Sequence, residues 1–140
     1  MTTFTAGIVI PHLADSSSAV QDVREAEAAG VQTAWQTSSA ERPDTLTMFA
    51  AAAAVTDRIA LGTAIVPTYP RHPAIMASQV RAIEGIAPGR LRLGIGPSHQ
   101  VSIEQDLELE IGKPLSHLRE YTTILRALLR GGTVRHTDDA

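Results

Sequence analysis

The stretch that decides the fold class is RIALGTAIVPTYPRHP, which runs from Arg58 to Pro73. Its first half is rich in branched apolar residues typical of a buried strand: Ile59, Leu61, Ile65 and Val66. Its second half carries prolines that end the strand and restrict the following loop: Pro67, Pro70 and Pro73. Polar residues stand between them, and α/β folds bind ligands at the carboxyl ends of strands. The loop is therefore either a ligand site or a rigid connection with exposed polar groups.

A pattern of strand, loop and helix repeats along the chain on both sides of this stretch. Buried strands are predicted at residues 4–10, 31–35, 58–66 and 90–96, and each is followed by a predicted helix. This alternation predicts a parallel α/β sheet with right-handed crossovers. By itself it does not separate a barrel from an open, doubly wound sheet. Residues 1–140 are predicted to form a single domain.

Composition excludes several classes of function. The chain has 140 residues, 44% of them hydrophobic, a formal net charge of −3 and no cysteine. Mild acidity argues against nucleic acid or an anionic membrane as a partner. The lack of cysteine excludes disulfides, thiolate metal sites and a cysteine nucleophile. The amino-terminal residues show no signal-peptide pattern, and the apolar run 50–55 is too short to span a bilayer, so we expect a cytoplasmic protein.

A glycine pair after the fourth predicted strand invites a dinucleotide-binding interpretation. The segment reads Gly94-Ile-Gly96-Pro97-Ser98. It lacks the third glycine of the dinucleotide fingerprint, no helix is predicted directly after it, and Pro97 removes a backbone amide. We therefore interpret Gly94 and Gly96 as positions where a ring or another backbone comes close to the strand end.

The histidines fall into two groups. His12, His72 and His99 each follow the carboxyl end of a predicted strand, and in a parallel barrel such positions converge on one face. A neutral imidazole there could donate a hydrogen bond or act as an acid or base near neutral pH. We expect His117 and His136 to be solvated or capping residues. No pair of histidines has a metal-binding helical spacing, so no metal site is predicted.

Two other side chains have alternative interpretations. Arg71 could bind an anionic group of a cofactor or substrate, or could be surface charge. Trp35, at the end of the second predicted strand, could stack on a ring, although a packed core position is the simpler expectation.

Three segments together resemble one family. The segments are LGTAIVPTYPRHP from Leu61, GRLRLGIGPSH from Gly89 to His99, and HLREYTTILRALLRG from His117. In this order they resemble the bacterial luciferase-like oxidoreductases, most closely the branch that uses the deazaflavin coenzyme F420. The resemblance covers about residues 4–135.

The resemblance implies a TIM barrel that binds F420, or alternatively FMN, at the carboxyl ends of its strands. It implies hydride transfer between F420 and a small organic substrate. The alternatives are an FMN-dependent monooxygenase of the same superfamily, or a non-catalytic, flavin-binding or structural half-barrel.

The resemblance also implies site residues. A cis peptide bond that is not followed by proline would fall at Ala64–Ile65 and form a bulge behind the ring. The residues expected to contact the cofactor are Ala64, Ile65, Val66, Thr68, Gly96, Pro97 and Ser98. Some family members place an acid/base residue where this chain has 36–39, and others place a glutamate where it has His99. We therefore assign His99, as a hypothesis, to polarising the substrate.

The length of the chain departs from the family. A TIM barrel has eight βα units and typically about 250 residues, whereas four units are predicted here. The resemblance places most contacts to the cofactor's phosphate tail in the second half of the barrel. Isolated half-barrels leave strand edges unpaired and apolar surface exposed. We therefore expect either a carboxyl-terminal half that is missing from this chain or a homodimer.

Overall fold

The computed structural model describes residues 6–11, 15–39 and 41–132. The strands are β1 (Gly7–Val9), β2 (Thr33–Gln36), β3 (Ala60–Thr63), β4 (Val66–Pro67), β5 (Leu91–Arg92) and β6 (Ile95–Gly96). The helices are α1 (Ser16–Ala28), α2 (Thr45–Ala54), α3 (Pro73–Ile86) and α4 (Pro114–Leu129), with a π-helical turn at Ser102–Asp106. In the described part of the chain, no helix is long and apolar enough to cross a membrane.

The strands form a parallel sheet in the order β1-β2-β3-β5, and β4 pairs in parallel with β6 beyond it. Helices α1 to α4 alternate with these strands, so the structure has the four βα units of a half TIM barrel, as the sequence predicted. The predicted strands 58–66 and 90–96 are each divided in two. The start of the predicted first strand, at residues 4 and 5, lies outside the described residues.

Local sequence determines where the helices begin. The Asp15 carboxylate accepts hydrogen bonds from the amides of Ser17 and Ser18 at the start of α1. Asp44 caps α2 through the amide of Thr47. Acceptors at these positions satisfy amides that have no partner inside the helix. Helices α3 and α4 begin at prolines, whose missing N–H costs nothing in the first turn, and the His72 side chain also caps α3.

The core lies between the helices and one face of the sheet. Fully buried members include Ile10, Phe49, Leu61, Met76 and Ile83.

The opposite face of the sheet is the inner face of the half-barrel, and the helices do not cover it. The side chain of Val9 is 64% exposed there. The Trp35 ring lies across this face, because a Cβ added to Gly62 would be 2.3 Å from its Cε3 atom and one added to Gly7 would be 2.8 Å from its Nε1 atom. Trp35 therefore packs along the inner face rather than in the core between sheet and helices.

Two charged side chains fix the amino ends of the strands. The Glu27 carboxylate accepts from the consecutive amides of residues 57–59, just before β3. Arg90 donates to the carbonyl oxygens of Ile59 and Thr56. These contacts hold the end of the sheet opposite the predicted ligand site, and they leave the carboxyl ends free to form it.

Candidate functional site

A bulge lies where β3 passes into β4. Leu61 pairs with Leu91 and Gly62 with Arg92, but beyond the bulge Val66 pairs with Ile95. Between these pairs the first strand advances one residue more than its neighbour, which is the definition of a bulge. Bulges of this kind redirect side chains at the rims of barrels.

The Thr63 side chain bridges the two strands where their pairing is interrupted by the bulge. Thr63 Oγ1 donates to the carbonyl oxygen of Gly94 at 2.7 Å and accepts from its amide at 2.8 Å. Thr63 is 1% exposed, so these hydrogen bonds are shielded from water. The bulge is thus tied to the neighbouring strand by this hydroxyl together with a backbone hydrogen bond of 2.9 Å from the Val66 amide to the same Gly94 carbonyl oxygen.

The Ala64–Ile65 peptide bond is cis, which confirms the geometry that the family resemblance implied. The Ile65 side chain points toward the neighbouring strand, since a Cβ added to Gly96 would lie 3.3 Å from Ile65 Cγ1. A Cβ added to Gly94 would lie 2.2 Å from the Thr63 carbonyl oxygen. The two glycines therefore admit a close approach of the bulge, as the sequence indicated.

A groove of three adjoining cavities lies at the carboxyl ends of the strands. The first, of about 440 Å³, is lined by Thr37, Ser38, Ala64, Ile65, Pro97, Ser98 and His99. The second, of about 190 Å³, shares Ser38, Ser98 and His99 with it and continues to Pro67 and the π-helical turn. The third, of about 280 Å³, continues from Ser38 and Pro67 to Arg42, Asp44 and Arg71. Five of the predicted site residues thus line one cavity: Ala64, Ile65, Pro97, Ser98 and His99.

His99 is exposed at the junction of the first two cavities. Its carbonyl oxygen accepts from the amide of Ile103, which anchors the π-helical turn to the end of β6. Ser98 holds a left-handed backbone with φ of 67°. An L-residue adopts this conformation at a cost, and such residues gather at functional sites. The turn at Ser98 places the His99 ring at the groove.

The predicted contact residues Val66 and Thr68 are both buried, at 1% exposure each. The Thr68 hydroxyl donates to the carbonyl oxygen of Gly96 at 3.2 Å and lies 3.0 Å from His117 Nε2. Its side chain therefore ties the loop to β6 and α4, and neither residue lines the three cavities. A direct contact of Val66 or Thr68 with a cofactor stays a prediction.

Helix α4 anchors the proline-rich loop through aromatic side chains. The His117 ring stacks on the Tyr69 ring with centroids 4.0 Å apart and an interplanar angle of 11°. Tyr121 donates to the carbonyl oxygen of Arg71 at 2.8 Å, and Tyr69 donates to that of Ile111. The expectation that His117 is solvated or caps a helix was wrong. The apolar stripe of α4 predicts the helix, but it does not show which loop the His117 side of the helix will contact.

Burial changes the ionisation of this anchor. It lowers the pKa of His117, against the opposing effect of the Glu120 charge. It raises the pKa of Tyr121 to about 12, although the Arg71 charge acts in the other direction. The anchor is therefore neutral near pH 7, as suits a stacked, hydrogen-bonded cluster.

Arg71 at the outer end of the groove is an ion-pair partner. Its guanidinium donates to the Asp44 carboxylate and to the Gln79 side chain, both at 2.5 Å. Burial alone would raise the pKa of Asp44, but hydrogen bonds from Thr47 and Arg71 outweigh it, so the pKa lies below its ordinary value. Arg71 thus positions the loop against α2, while its side chain still borders the third cavity.

His72, which was also predicted to follow a strand end, does not line the groove. His72 Nδ1 accepts from the amide of Ala74 and caps α3. His12 and His136 lie outside the described residues.

Sequence reasoning did not assign Thr37 and Ser38 to the site, although both line the first cavity. They follow β2 as His99 follows β6, so the strand-end rule that selected His99 would have found them.

The first cavity fits a flat heterocyclic ring. Its volume lies in the range of roughly 300–1,000 Å³ that small-molecule sites occupy. Ala64, Ile65 and Pro97 give apolar surface, and the Ser98 hydroxyl can hydrogen-bond to a polar ring edge. The Ser38 hydroxyl already donates to the Thr45 hydroxyl at 2.8 Å, so it can offer a ligand only an acceptor. Apolar walls with a few convergent polar groups are the usual composition of a cofactor site.

Comparison with known proteins extends this result. The family model for luciferase-like monooxygenases matches residues 4–139. The chain is 32% identical over 114 residues to 5,10-methylenetetrahydromethanopterin reductase of Archaeoglobus fulgidus, covering 81% of this chain and 34% of the relative. It is 31% identical over 108 residues to F420-dependent glucose-6-phosphate dehydrogenase of Beutenbergia cavernae, covering 71% of this chain and 31% of the relative. The chain therefore spans about a third of the length of these curated relatives.

Solved structures share the fold. The coenzyme F420 dependent tetrahydromethanopterin reductase of Methanopyrus kandleri superposes with a TM-score of 0.84 at 24% identity, over 95% of this chain and 42% of that one. The oxygenating constituent of 3,6-diketocamphane monooxygenase of Pseudomonas putida, solved in complex with FMN, superposes with a TM-score of 0.85 at 18% identity, over 99% of this chain and 42% of that one.

Proposed function

Because the chain belongs to the luciferase-like monooxygenase family, we propose that its groove forms the ring-binding part of an F420-dependent oxidoreductase. The reaction is hydride transfer between the deazaflavin and a small organic substrate. Among the relatives above, the sequence matches at 30% identity or more are reductases or dehydrogenases, and one is named for F420. That similarity supports F420 over FMN.

The observation that carries the proposal is the cavity of about 440 Å³ beside the bulge. Ala64, Ile65 and Pro97 all line this cavity, so an apolar ring face has protein against it. When bound, a deazaflavin supplies a two-electron hydride donor or acceptor, and the protein supplies orientation and electrostatics. The bulge, tied down by Thr63, holds the backing residues in place for this orientation.

His99 is proposed to polarise the substrate. Its ring is exposed at the point where the first cavity opens into the second. Within the described residues, no hydrogen bond from another side chain occupies the imidazole, so it is available to a ligand. We place the substrate in the second cavity, between His99 and the π-helical turn, where an imidazole can donate a hydrogen bond to a carbonyl or hydroxyl group.

FMN-dependent monooxygenation is the second candidate. It is favoured by the structural match to a monooxygenase solved with FMN. A third possibility is a half-barrel that binds a flavin without turnover, and redox assays of the bound cofactor distinguish it from the other two.

Fluorescence titration of the purified chain with F420, and with FMN in parallel, tests the proposal. We expect saturable F420 binding with a lower Kd than that of FMN. Tighter FMN binding with oxygen consumption by reduced FMN would favour the monooxygenase. Absence of saturable binding by either cofactor up to about 1 mM, a free energy of only about −4 kcal/mol, would contradict the proposal.

The role of His99 has a separate test. His99→Ala should lower turnover of the substrate by about 10² to 10⁴-fold, the usual contribution of a positioned acid or base, and leave F420 affinity nearly unchanged. His99→Gln, which retains a hydrogen-bond donor, should recover part of the loss. Unchanged turnover in His99→Ala would remove His99 from the mechanism.

A further inference from the structure

The outer end of the groove carries more positive than negative charge. Among the described residues, the charged side chains that line the third cavity, of about 280 Å³, are Arg42, Arg71 and Asp44. The second cavity is lined instead by Glu41 and Asp106, and no described lysine or arginine borders it. The groove is therefore polarised along its length, from acidic in the middle to basic at its outer end.

The basic end of the groove is continuous with the proposed substrate position. The second and third cavities share four lining residues: Ser38, Ser39, Pro67 and Leu107. One ligand can therefore extend through both cavities. We propose that the third cavity binds the carboxylate of the substrate. The substrate class that follows, and that rests on the proposed function, is small organic acids whose carbonyl or hydroxyl group lies at His99.

The Arg71 guanidinium is held in place by the protein itself. Its terminal nitrogens donate to Asp44 Oδ1 and Gln79 Oε1, and its backbone carbonyl oxygen accepts from the Tyr121 hydroxyl. The two side-chain hydrogen bonds use only two of the five N–H groups of an arginine, and the side chain keeps 20% exposure. An arginine fixed in this way loses little conformational freedom when it binds an anion.

The charges that line the third cavity do not cancel. Burial opposes the ionisation of Asp44, but hydrogen bonds from Thr47 and Arg71 outweigh it and keep the pKa below its ordinary value. Asp44 is therefore charged near pH 7, and it balances one of the two arginines that line the cavity. One positive charge among the three lining groups is left in excess. That excess matches a monoanion such as a carboxylate better than a phosphate dianion.

The remaining lining of the third cavity suits a carboxylate on a short carbon chain. The Arg42 amide donates to the Ser39 carbonyl oxygen at 3.4 Å, which holds these two residues together beside the cavity. The Ser39 hydroxyl can donate a hydrogen bond to a carboxylate oxygen. Apolar side chains that can contact the carbon chain complete the lining: Pro43, Pro67, Pro70 and Leu107.

The second cavity determines which way such a ligand lies. A carboxylate there would face the like charges of Glu41 and Asp106, which would weaken its binding. At the outer end of the groove the same group faces Arg42 and Arg71. The carboxylate is therefore drawn outward, and the carbonyl or hydroxyl group of the substrate is left beside His99.

An NMR titration of the chain without any cofactor tests this site. The probes are the keto acid levulinate and its methyl ester, which differ in the charge of one group. We expect amide shifts at Ser39, Arg42 and Leu107, and a Kd for the acid at least about tenfold below that of the ester, as for one hydrogen bond to a charged group. Equal Kd values would overturn the proposal. So would the absence of levulinate binding up to about 50 mM, which is weak even for so small a ligand.

Variants of Arg42 assign the preference for the acid to the third cavity. Arg42→Gln removes the excess charge and should bring the Kd of levulinate close to that of its ester. Arg42→Lys, which keeps the charge but not the planar fork, should recover part of the preference. The control Arg24→Gln, an equal change of charge on an exposed residue of α1, should retain the full preference. A preference that persists in Arg42→Gln, or that is lost in Arg24→Gln, would overturn the assignment.

Two further comparisons separate the possible outcomes. Acetate should bind more tightly than inorganic phosphate near pH 7, and tighter binding of phosphate would overturn the choice of a carboxylate. If the chain prefers levulinate but does not bind F420, the proposed function fails and the anion site stands. If the chain binds F420 without any preference for levulinate over its ester, the anion site alone is overturned.

Discussion

Thr63 and Gly94 exchange two hydrogen bonds through one hydroxyl, at 2.7 and 2.8 Å, in the place where the strand ladder is interrupted. The residues on either side of this bridge differ in register by one position. The groove is bordered by the residues that follow the bridge on both strands, Ala64 and Ile65 on one and Pro97 to His99 on the other. The shape of the site therefore depends on this pair.

Removal of the Thr63 hydroxyl should destabilise the fold. Thr63→Val keeps the side-chain volume but leaves the part-buried amide of Gly94 without this partner, whereas the Gly94 carbonyl oxygen still accepts from the Val66 amide at 2.9 Å. We expect a loss of about 1–3 kcal/mol, the cost of one unsatisfied group shielded from water. Urea unfolding followed by circular dichroism measures it. Thr63→Ser, which keeps the hydroxyl, should lose only about 1 kcal/mol from the missing methyl group; equal losses in the two variants would contradict this role of the hydroxyl.

The two glycines facing the bulge should respond differently to an added methyl group. A Cβ at Gly94 would lie 2.2 Å from a backbone oxygen, whereas one at Gly96 would lie 3.3 Å from the movable side chain of Ile65. We expect Gly94→Ala to lose more than about 2 kcal/mol and Gly96→Ala less than about 1.5 kcal/mol, within the range for overpacking. Unfolding midpoints of the two variants give the comparison. A Gly94→Ala variant as stable as Gly96→Ala would show that the bulge does not approach β6 so closely.

His117 should make stability dependent on pH in a narrow window. Burial lowers its folded-state pKa below 6.5, so the unfolded chain binds the proton more readily. The contribution of neutral His117 to the free energy of unfolding is therefore fully present above about pH 6.5, its ordinary pKa. It is lost as the pH falls from that value toward the folded-state pKa. His117→Phe, which can keep the stack on Tyr69, should unfold at a more nearly constant urea concentration between pH 7 and pH 5. The lowered pKa values of Asp44 and Glu27 act at lower pH. An identical pH slope in both proteins would refute this assignment.

The two described residues other than glycine with left-handed backbones form a matched pair. Ser98 has φ of 67° at the groove, and Glu108 has φ of 53° on the segment before α4. Replacement of either by glycine should raise stability by up to about 1 kcal/mol, because glycine adopts this conformation without strain. Only Ser98→Gly should weaken F420 binding, since Ser98 itself lines the cavity of about 440 Å³ and the substitution removes its hydroxyl. Isothermal titration of both variants tests this; equal affinities would separate the Ser98 turn from cofactor binding.

The order of strands and helices was predicted well from the sequence. The apolar run after Arg58, the prolines that follow it and the helical stripes gave the βα order without knowledge of any long-range contact. These signals are local, because each depends on residues only a few positions apart. His99, which the strand-end rule selected, lines the groove, and so do Ser98 and Pro97, which the family resemblance implied. Their contact with a cofactor or substrate stays a prediction.

The sequence could not predict which side chains turn inward after the bulge. Thr68 looks like a groove residue by position, but its hydroxyl is taken up by Gly96 and His117. His117 is 49 positions further along the chain than Thr68, and no local pattern reveals so distant a contact. The pairing of Arg71 with Asp44, which are 27 positions apart, was missed for the same reason.

The most direct test of the proposed groove is an NMR titration of the chain with F420, with backbone amide shifts followed residue by residue. The account predicts that the largest shifts occur at the groove lining: Thr37, Ser38, Ala64, Ile65, Ser98 and His99. The amides of residues 57–59, held by Glu27 at the opposite end of the strands, should stay in place. Largest shifts at that opposite end, or none at saturating F420, would contradict the account.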